Sequence, residues 1–157
     1  MDSITMDQDE LLKLDNQICF PLYVASRLIT RAYQPMLDDM GITYPQYLVL
    51  LTLWENDGQT VNQISQGLYL NTNTITPLLK RMEKTGIIAR TRSKEDERKV
   101  LITLTEQGKT LKEKAYCIPD EILAKTGKQA SEIVQLKKQL HALIQQMEQI
   151  EKDTAPH

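Results

Sequence analysis

Residues 60–104 read TVNQISQGLYLNTNTITPLLKRMEKTGIIARTRSKEDERKVLITL, and this stretch decides the fold. Its opening, Thr60 to Leu68, carries Val61, Ile64 and Leu68 at helical spacing. Asn71, Thr72, Asn73 and Thr74 then break the apolar pattern, and such short polar side chains favour helix N-caps over helix interiors. A second helix is expected over Thr74 to Thr85, burying Ile75, Leu78, Leu79 and Met82. Gly86 supplies its left-handed stop, and Pro77 is expected in its first turn, where no backbone donor is missed. Two strands follow, Ile87 to Arg92 and Lys99 to Leu104, with Val100, Ile102 and Leu104 on one apolar face. The loop between them, Ser93-Lys94-Glu95-Asp96-Glu97-Arg98, is too polar to bury. Two short helices and then a hairpin make a winged helix-turn-helix. In that motif the second helix enters a DNA major groove and the loop reaches phosphates or an adjacent minor groove.

Charge supports this locally rather than globally. The chain carries a formal −2, with a pI of about 5.7, which by itself argues against nucleic acid. Residues 71–100, however, hold eight basic side chains against four acidic ones, while residues 1–20 hold one against five. A basic segment inside an acidic chain sets up a local field at one face.

The remaining composition excludes several classes. At 157 residues the chain fits one domain, or one domain with a dimerisation extension. No apolar run approaches the roughly 18 residues that a bilayer span needs, and the acidic, polar start is unlike a signal peptide. Cys19 and Cys117 are too few for a secreted disulfide scaffold, so a cytoplasmic chain is expected. His141 and His157 form no zinc spacing, and there is no Gly-rich phosphate loop or Ser/His/Asp constellation. Neither a metal, a cofactor nor enzyme activity is expected.

Outward from the winged module, residues 1–10 read as frayed. A helical pattern runs from Leu11 to Met40, punctuated by Pro21 and Pro35, so the helix either starts near Phe20 or kinks there. Thr43 caps a helix to about Trp54 whose Leu48, Val49, Leu50, Leu51 and Leu53 suggest burial on most sides. Thr105 caps a further helix to about Ile118, kinked by Pro119 and fading near Gly127, with Gly108 inside it as a point of close packing. A last helix, Ser131 to Lys152, aligns Ile133, Leu136, Leu140, Leu143, Ile144, Met147 and Ile150. The expected fold is mainly α with a small β-wing. It divides into a first arm and helix at 1–42, the winged helix-turn-helix at 43–104 and C-terminal helices at 105–157. Amphipathic helices flanking a small module on both sides are most simply explained by homodimerisation.

Several stretches carry a family resemblance. Asp96-x-Arg98, followed by an apolar strand and Leu104-Thr105-x-x-Gly108, resembles the signature of the MarR family of winged-helix regulators. Leu14–Phe20, Gly41–Tyr47 and Thr76–Glu83 are similar to its organic hydroperoxide resistance repressor branch, with Cys19, Tyr33 and Tyr44 in register. The resemblance implies a homodimer on an inverted-repeat operator, released when a cysteine near the N-terminus is oxidised by an organic hydroperoxide. It makes Cys19 the sensing thiol, with Tyr33 and Tyr44 donating hydrogen bonds to it, Tyr44 from the other subunit. On residue type alone Cys19 reads as an inert buried thiol. A sensing role needs a thiolate, which a helix start and two phenol donors favour, and Phe20, Tyr23 and Tyr47 would make its surroundings apolar. Some members resolve the oxidised sulfur with a second cysteine near the end of the helix after the wing, and others with an external small thiol. Cys117 lies somewhat upstream of the expected position, and both routes stay open. An alternative is a regulator of the same family released by a small phenolic ligand, and a third reading is a thiol peroxidase.

On the DNA side, Thr72, Asn73, Thr74 and Thr76 stand where the second helix would meet base edges or phosphates. Arg81 is suited to a bidentate guanine contact and Lys80 to phosphate. Arg98 is the candidate for minor-groove insertion, its guanidinium held by Asp96, while Arg90, Arg92, Lys94 and Lys99 are candidates for backbone contacts.

Overall fold

Asn71 starts the helix that matters most: its side chain accepts a hydrogen bond from the Thr74 N–H at 3.0 Å. In the computed structural model, which describes residues 7–154, that helix (α5) spans Thr72–Lys84. It begins two residues earlier than the polar run suggests, so Pro77 lies in the second turn, not the first. The proline therefore removes the bond that the Asn73 carbonyl would otherwise accept. Gly86, at φ +77°, ends α5 as expected. Its N–H donates to Glu83 O at 2.9 Å, and the Ile87 N–H donates to Met82 O at 3.0 Å, a paired closure of the last turn. Ahead of it, α4 (Val61–Gly67) is opened by a reciprocal cap between Thr60 and Gln63.

The wing strands, β2 (Ile88–Arg92) and β3 (Val100–Leu104), pair antiparallel with Arg92 opposite Val100. Of the apolar trio on β3 only Ile102 is fully buried; Val100 and Leu104 are half-buried because they lie towards the strand's two ends. A third strand, β1 (Gln59–Thr60), adds to the other edge of β3. Two residues are too few to carry an alternation, so the sequence gives no sign of it.

The other helices follow their caps. A four-residue helix, α1 (Gln8–Leu11), and a 3-10 turn at Leu14–Asn16 precede α2 (Cys19–Met40). Residues 8–10 are thus helical rather than frayed, and the rest of that expectation, residues 1–6, lies outside the described residues. The long pattern from Leu11 is broken before Cys19, with Pro21 inside the first turn of α2 and Pro35 in its interior. A capping box of Thr43 and Gln46 starts α3 (Tyr44–Glu55). This helix is not buried on most sides. Tyr47, Val49, Leu50 and Leu53 are buried, but Pro45, Leu51 and Glu55 are exposed, Leu51 at 42%. Thr105 caps α6 (Glu106–Ala115) by accepting the Gly108 N–H at 3.1 Å. Pro119 does not kink that helix; it starts a new one, α7 (Ile118–Thr126), and α8 (Ala130–Thr154) follows.

The chain divides into two compact units, Met1–Tyr116 and Cys117–His157. In the first, Leu37, Val49, Leu50, Leu53, Ile64, Ile75, Leu79, Met82, Ile88 and Ile102 form the core that fixes α5 and the wing. Leu12, Leu14, Ile18, Leu22, Leu28 and Ile29 remain exposed along the N-terminal segment and α2. In the second unit the α8 stripe is likewise uncovered, at Leu136, Leu143, Ile144, Met147 and Ile150. Apolar surface on this scale costs free energy in water unless another surface covers it.

Candidate redox site and nucleic-acid interface

Cys19 is the first residue of α2 and is exposed, not buried as an inert structural thiol would be. At that helix start the Phe20 N–H already donates to Gln17 O at 3.3 Å and Pro21 carries no N–H, so neither offers the sulfur a backbone donor. Tyr23 stands one turn further along the same face, and Arg27 another turn on. The Arg27 guanidinium donates to the Tyr23 hydroxyl at 2.7 Å and lies 5.4 Å from the ring centre. Sequence reading gave Tyr23 only an apolar role and missed Arg27, although the spacing 19, 23, 27 is the signal that could have found both.

Tyr33 and Tyr44 do come together. Their ring centres are 5.3 Å apart, edge to face, where α2 meets the start of α3. Tyr47 joins them at 5.8 Å from Tyr33 and 6.5 Å from Tyr44, and Trp54 follows at 6.3 Å from Tyr47. Burial, with a smaller contribution from Tyr44, raises the Tyr33 phenol above its usual range, and burial raises Tyr44 as well. Both hydroxyls therefore stay protonated at neutral pH, as donors must.

What the structure does not do is bring either tyrosine to Cys19 of the same chain. Tyr33 lies fourteen steps along continuous α-helix from Cys19, about 21 Å of rise. Neither side chain can span that. A donor role for Tyr33 within its own subunit is thereby ruled out, by the length of α2. Tyr47 also lies in the tyrosine cluster, so it cannot wall its own chain's Cys19. Cys117 is exposed at the head of α7.

On α5, Thr72, Asn73, Thr74, Lys80 and Arg81 are exposed and Thr76 is half-buried. Thr74 is partly committed to the fold, since its hydroxyl donates to Asn71 Oδ1 at 3.0 Å. Beside them, Thr43, Pro45, Gln46, Thr74, Leu78 and Arg81 line an open groove of about 470 Å³. At the wing, Arg92, Lys94 and Lys99 line an open cleft of about 580 Å³ with Thr60 and Thr91. Two expectations need correcting there. Asp96 does not hold the Arg98 guanidinium: it accepts the Arg98 backbone N–H at 3.1 Å and pairs with Lys99 at 3.9 Å. The tight turn, in which Ser93 Oγ also accepts the Glu95 N–H, brings the backbone rather than the side chain of Arg98 to the carboxylate. Arg90 turns inward from β2 to pair with Glu83 of α5 at 3.6 Å, and its Nε is buried. It joins the recognition helix to the wing and is not placed to meet a phosphate.

Comparison with known proteins places this arrangement. A family of transcriptional regulators, SarA/Rot, matches residues 31–115. The organic hydroperoxide resistance transcriptional regulator of Bacillus subtilis is 51% identical over 138 residues, spanning 88% of this chain and 94% of the relative. The chain is a MarR-family transcriptional regulator of the organic hydroperoxide resistance branch. Among solved members, AbfR of Staphylococcus epidermidis, reduced and bound to DNA, is 39% identical with a TM-score of 0.75 over 92% of this chain and 99% of its own. Overoxidised AbfR bound to DNA gives 0.71 at 38% identity, over 90% and 99%. Disulfide-formed AbfR, also 38% identical over 92% and 96%, gives only 0.58. One MarR-family sequence thus takes arrangements that differ in how well this chain superposes on them, and the disulfide form is the outlier.

Proposed function

We propose that this protein is a redox-sensing repressor which grips an inverted-repeat operator as a homodimer and lets go once Cys19 has been oxidised by an organic hydroperoxide. The observation that carries it is an exposed helix-start thiol together with a Tyr33–Tyr44 ring pair whose Tyr33 backbone lies about 21 Å of helical rise along α2 from that thiol. Both Tyr33 and Tyr44 of one subunit then serve Cys19 of the other. Residues 1–42 carry the sensor, 43–104 read DNA and 105–157 complete the dimer, which covers the apolar stripes of α2 and α8.

In the chemistry of this reading, the Cys19 thiolate attacks one oxygen of the peroxide. The O–O bond breaks, the alkoxide leaves and takes a proton, and a sulfenic acid remains. A thiol then condenses with it, forming a disulfide and releasing water. That thiol is Cys117 or an external small thiol. Disulfide formation, not oxygenation alone, is the releasing step, since AbfR is found on DNA both reduced and overoxidised. No catalytic turnover belongs to this role.

On DNA, Thr72, Asn73, Thr76 and Arg81 face the major groove, with Lys80, Arg92, Lys94 and Lys99 on phosphates and Arg98 in the minor groove. Arg98→Ala should weaken binding to a duplex selected from a random pool by the reduced protein by about tenfold, roughly 1.4 kcal/mol, with unchanged thermal stability. Equal affinity in a gel-shift titration at fixed salt would remove the wing from the interface. The redox reading is tested by treating the protein with cumene hydroperoxide and a small thiol, then splitting the sample. Mass spectrometry should find a disulfide adduct on Cys19, and the other half should no longer shift the duplex. An unmodified Cys19 in protein that has released its DNA contradicts the proposal.

A further inference from the structure

We propose that Trp54 is a positioning residue that couples the tyrosine cluster to the root of the wing, so that the state of the redox site is relayed along α3 to the DNA-reading elements. The inference rests on the redox reading above and goes beyond it in naming the mechanical link.

Tyr44, Tyr47 and Trp54 share one face of α3, a rod about 18 Å long whose rings form an unbroken series with Tyr33. At its far end the Trp54 indole N–H donates to the Gly108 carbonyl at 2.9 Å, fifty-four residues on in the chain. Lys112 adds a second tie from α6, reaching the Trp54 carbonyl at 3.5 Å. Gly108 sits at a crowded joint, where a Cβ would fall 2.2 Å from the Ile87 carbonyl oxygen. That same oxygen accepts from the Thr105 N–H at 3.2 Å and its hydroxyl at 2.9 Å, while the Thr105 hydroxyl also reaches Gly86 O at 2.6 Å. Gly86 closes the recognition helix and Ile87 leads into β2. One indole thus fastens the helix bearing Tyr44 to the point where recognition helix and wing are joined.

A contact qualifies as a coupling element only if it biases two arrangements differently. Packed cores pass small displacements on as discrete shifts rather than absorbing them. A tyrosine pair pushed aside by an adduct on the partner's sulfur displaces α3, and the indole carries that displacement to Gly108. A Trp that merely filled the core would support both states alike.

The wild-type protein tests this directly, because Trp54 is its single tryptophan. Its emission should change when cumene hydroperoxide and a small thiol are added, in step with release of the selected duplex, and should not change in Cys19→Ser. Trp54→Phe, which keeps a ring and loses the N–H, should bind the duplex within about threefold of wild type when reduced. Its ratio of oxidised to reduced Kd should fall by at least about fivefold, while mass spectrometry shows Cys19 modified as in wild type. Steady emission during release overturns the inference, as does a Trp54→Phe variant that keeps the full ratio or loses affinity equally in both states. A wild type that holds DNA after a disulfide forms on Cys19 overturns the redox reading and this inference with it; release of wild type and variant alike overturns the inference alone.

Discussion

Cys19→Ser should leave the reduced protein's affinity for its selected duplex unchanged and abolish release by cumene hydroperoxide. The ratio of oxidised to reduced Kd should drop from the roughly 5- to 150-fold expected of a coupled site to about one. Serine matches the thiol in shape, so α2 keeps its start and the exposed position loses no packing. What it lacks is an ionisable nucleophile: a thiol titrates near 8.5 and can be lowered further, whereas an alkyl hydroxyl stays neutral. The subunit assignment gives the prediction a sharper form. In mixed dimers, a subunit with Cys19→Ser paired with one carrying Tyr33→Phe and Tyr44→Phe retains one intact thiol. That thiol belongs to the tyrosine-deficient subunit and faces the intact tyrosines of its partner, so it should react like wild type. If such dimers react no faster than the doubly substituted homodimer, the phenols act within their own chain and the length of α2 has been misread. Sustained consumption of hydroperoxide with a recycling thiol would instead favour a peroxidase.

The parts of this fold that were legible beforehand are those whose signals are local. Asn71, Thr60 and Thr105 each satisfy the backbone N–H three residues on, Gln46 satisfies that of Thr43, and Gly86 adopts the one conformation its position requires, so caps and stops can be read off short windows. Direction is harder. Arg90 and Arg92 look equivalent in sequence, but Glu83 draws the first inward and leaves the second at the wing cleft. Asp96 and Arg98 suggested a side-chain pair, yet the turn between them spends the carboxylate on a backbone N–H. The site itself was half legible. Resemblance named Cys19, Tyr33 and Tyr44 and drew Tyr44 from the other subunit, but only the uninterrupted run of α2 puts Tyr33 as well out of reach of its own chain's Cys19. Trp54 and Gly108 were each visible as residues; nothing in a linear reading joins positions that meet only after α3, α5 and α6 have packed.

Gly108→Ala should destabilise the protein by about 2 kcal/mol, lowering Tm by roughly 4–8 °C at fixed protein concentration. Propensity alone predicts the opposite sign, since alanine is favoured over glycine inside a helix by up to about 1 kcal/mol. Geometry decides against it. The new methyl would lie 2.2 Å from Ile87 O and 3.1 Å from Leu104 Cδ2, and the nearer obstacle is backbone. That carbonyl cannot retreat without stretching its bonds from Thr105, and α6 cannot retreat without stretching the Trp54 bond to Gly108 O. Gly67→Ala is the matched control. It sits at the end of α4 with nothing within 4 Å of the place a Cβ would take and no positive φ, so the same substitution there should be neutral or mildly stabilising. Because the crowding falls at the root of the wing, Gly108→Ala should also loosen the selected duplex at temperatures well below its own Tm, which Gly67→Ala should not. Equal melting of the two variants would show that Ile87 can move aside at little cost, and the joint between α6 and the wing would then be soft rather than rigid.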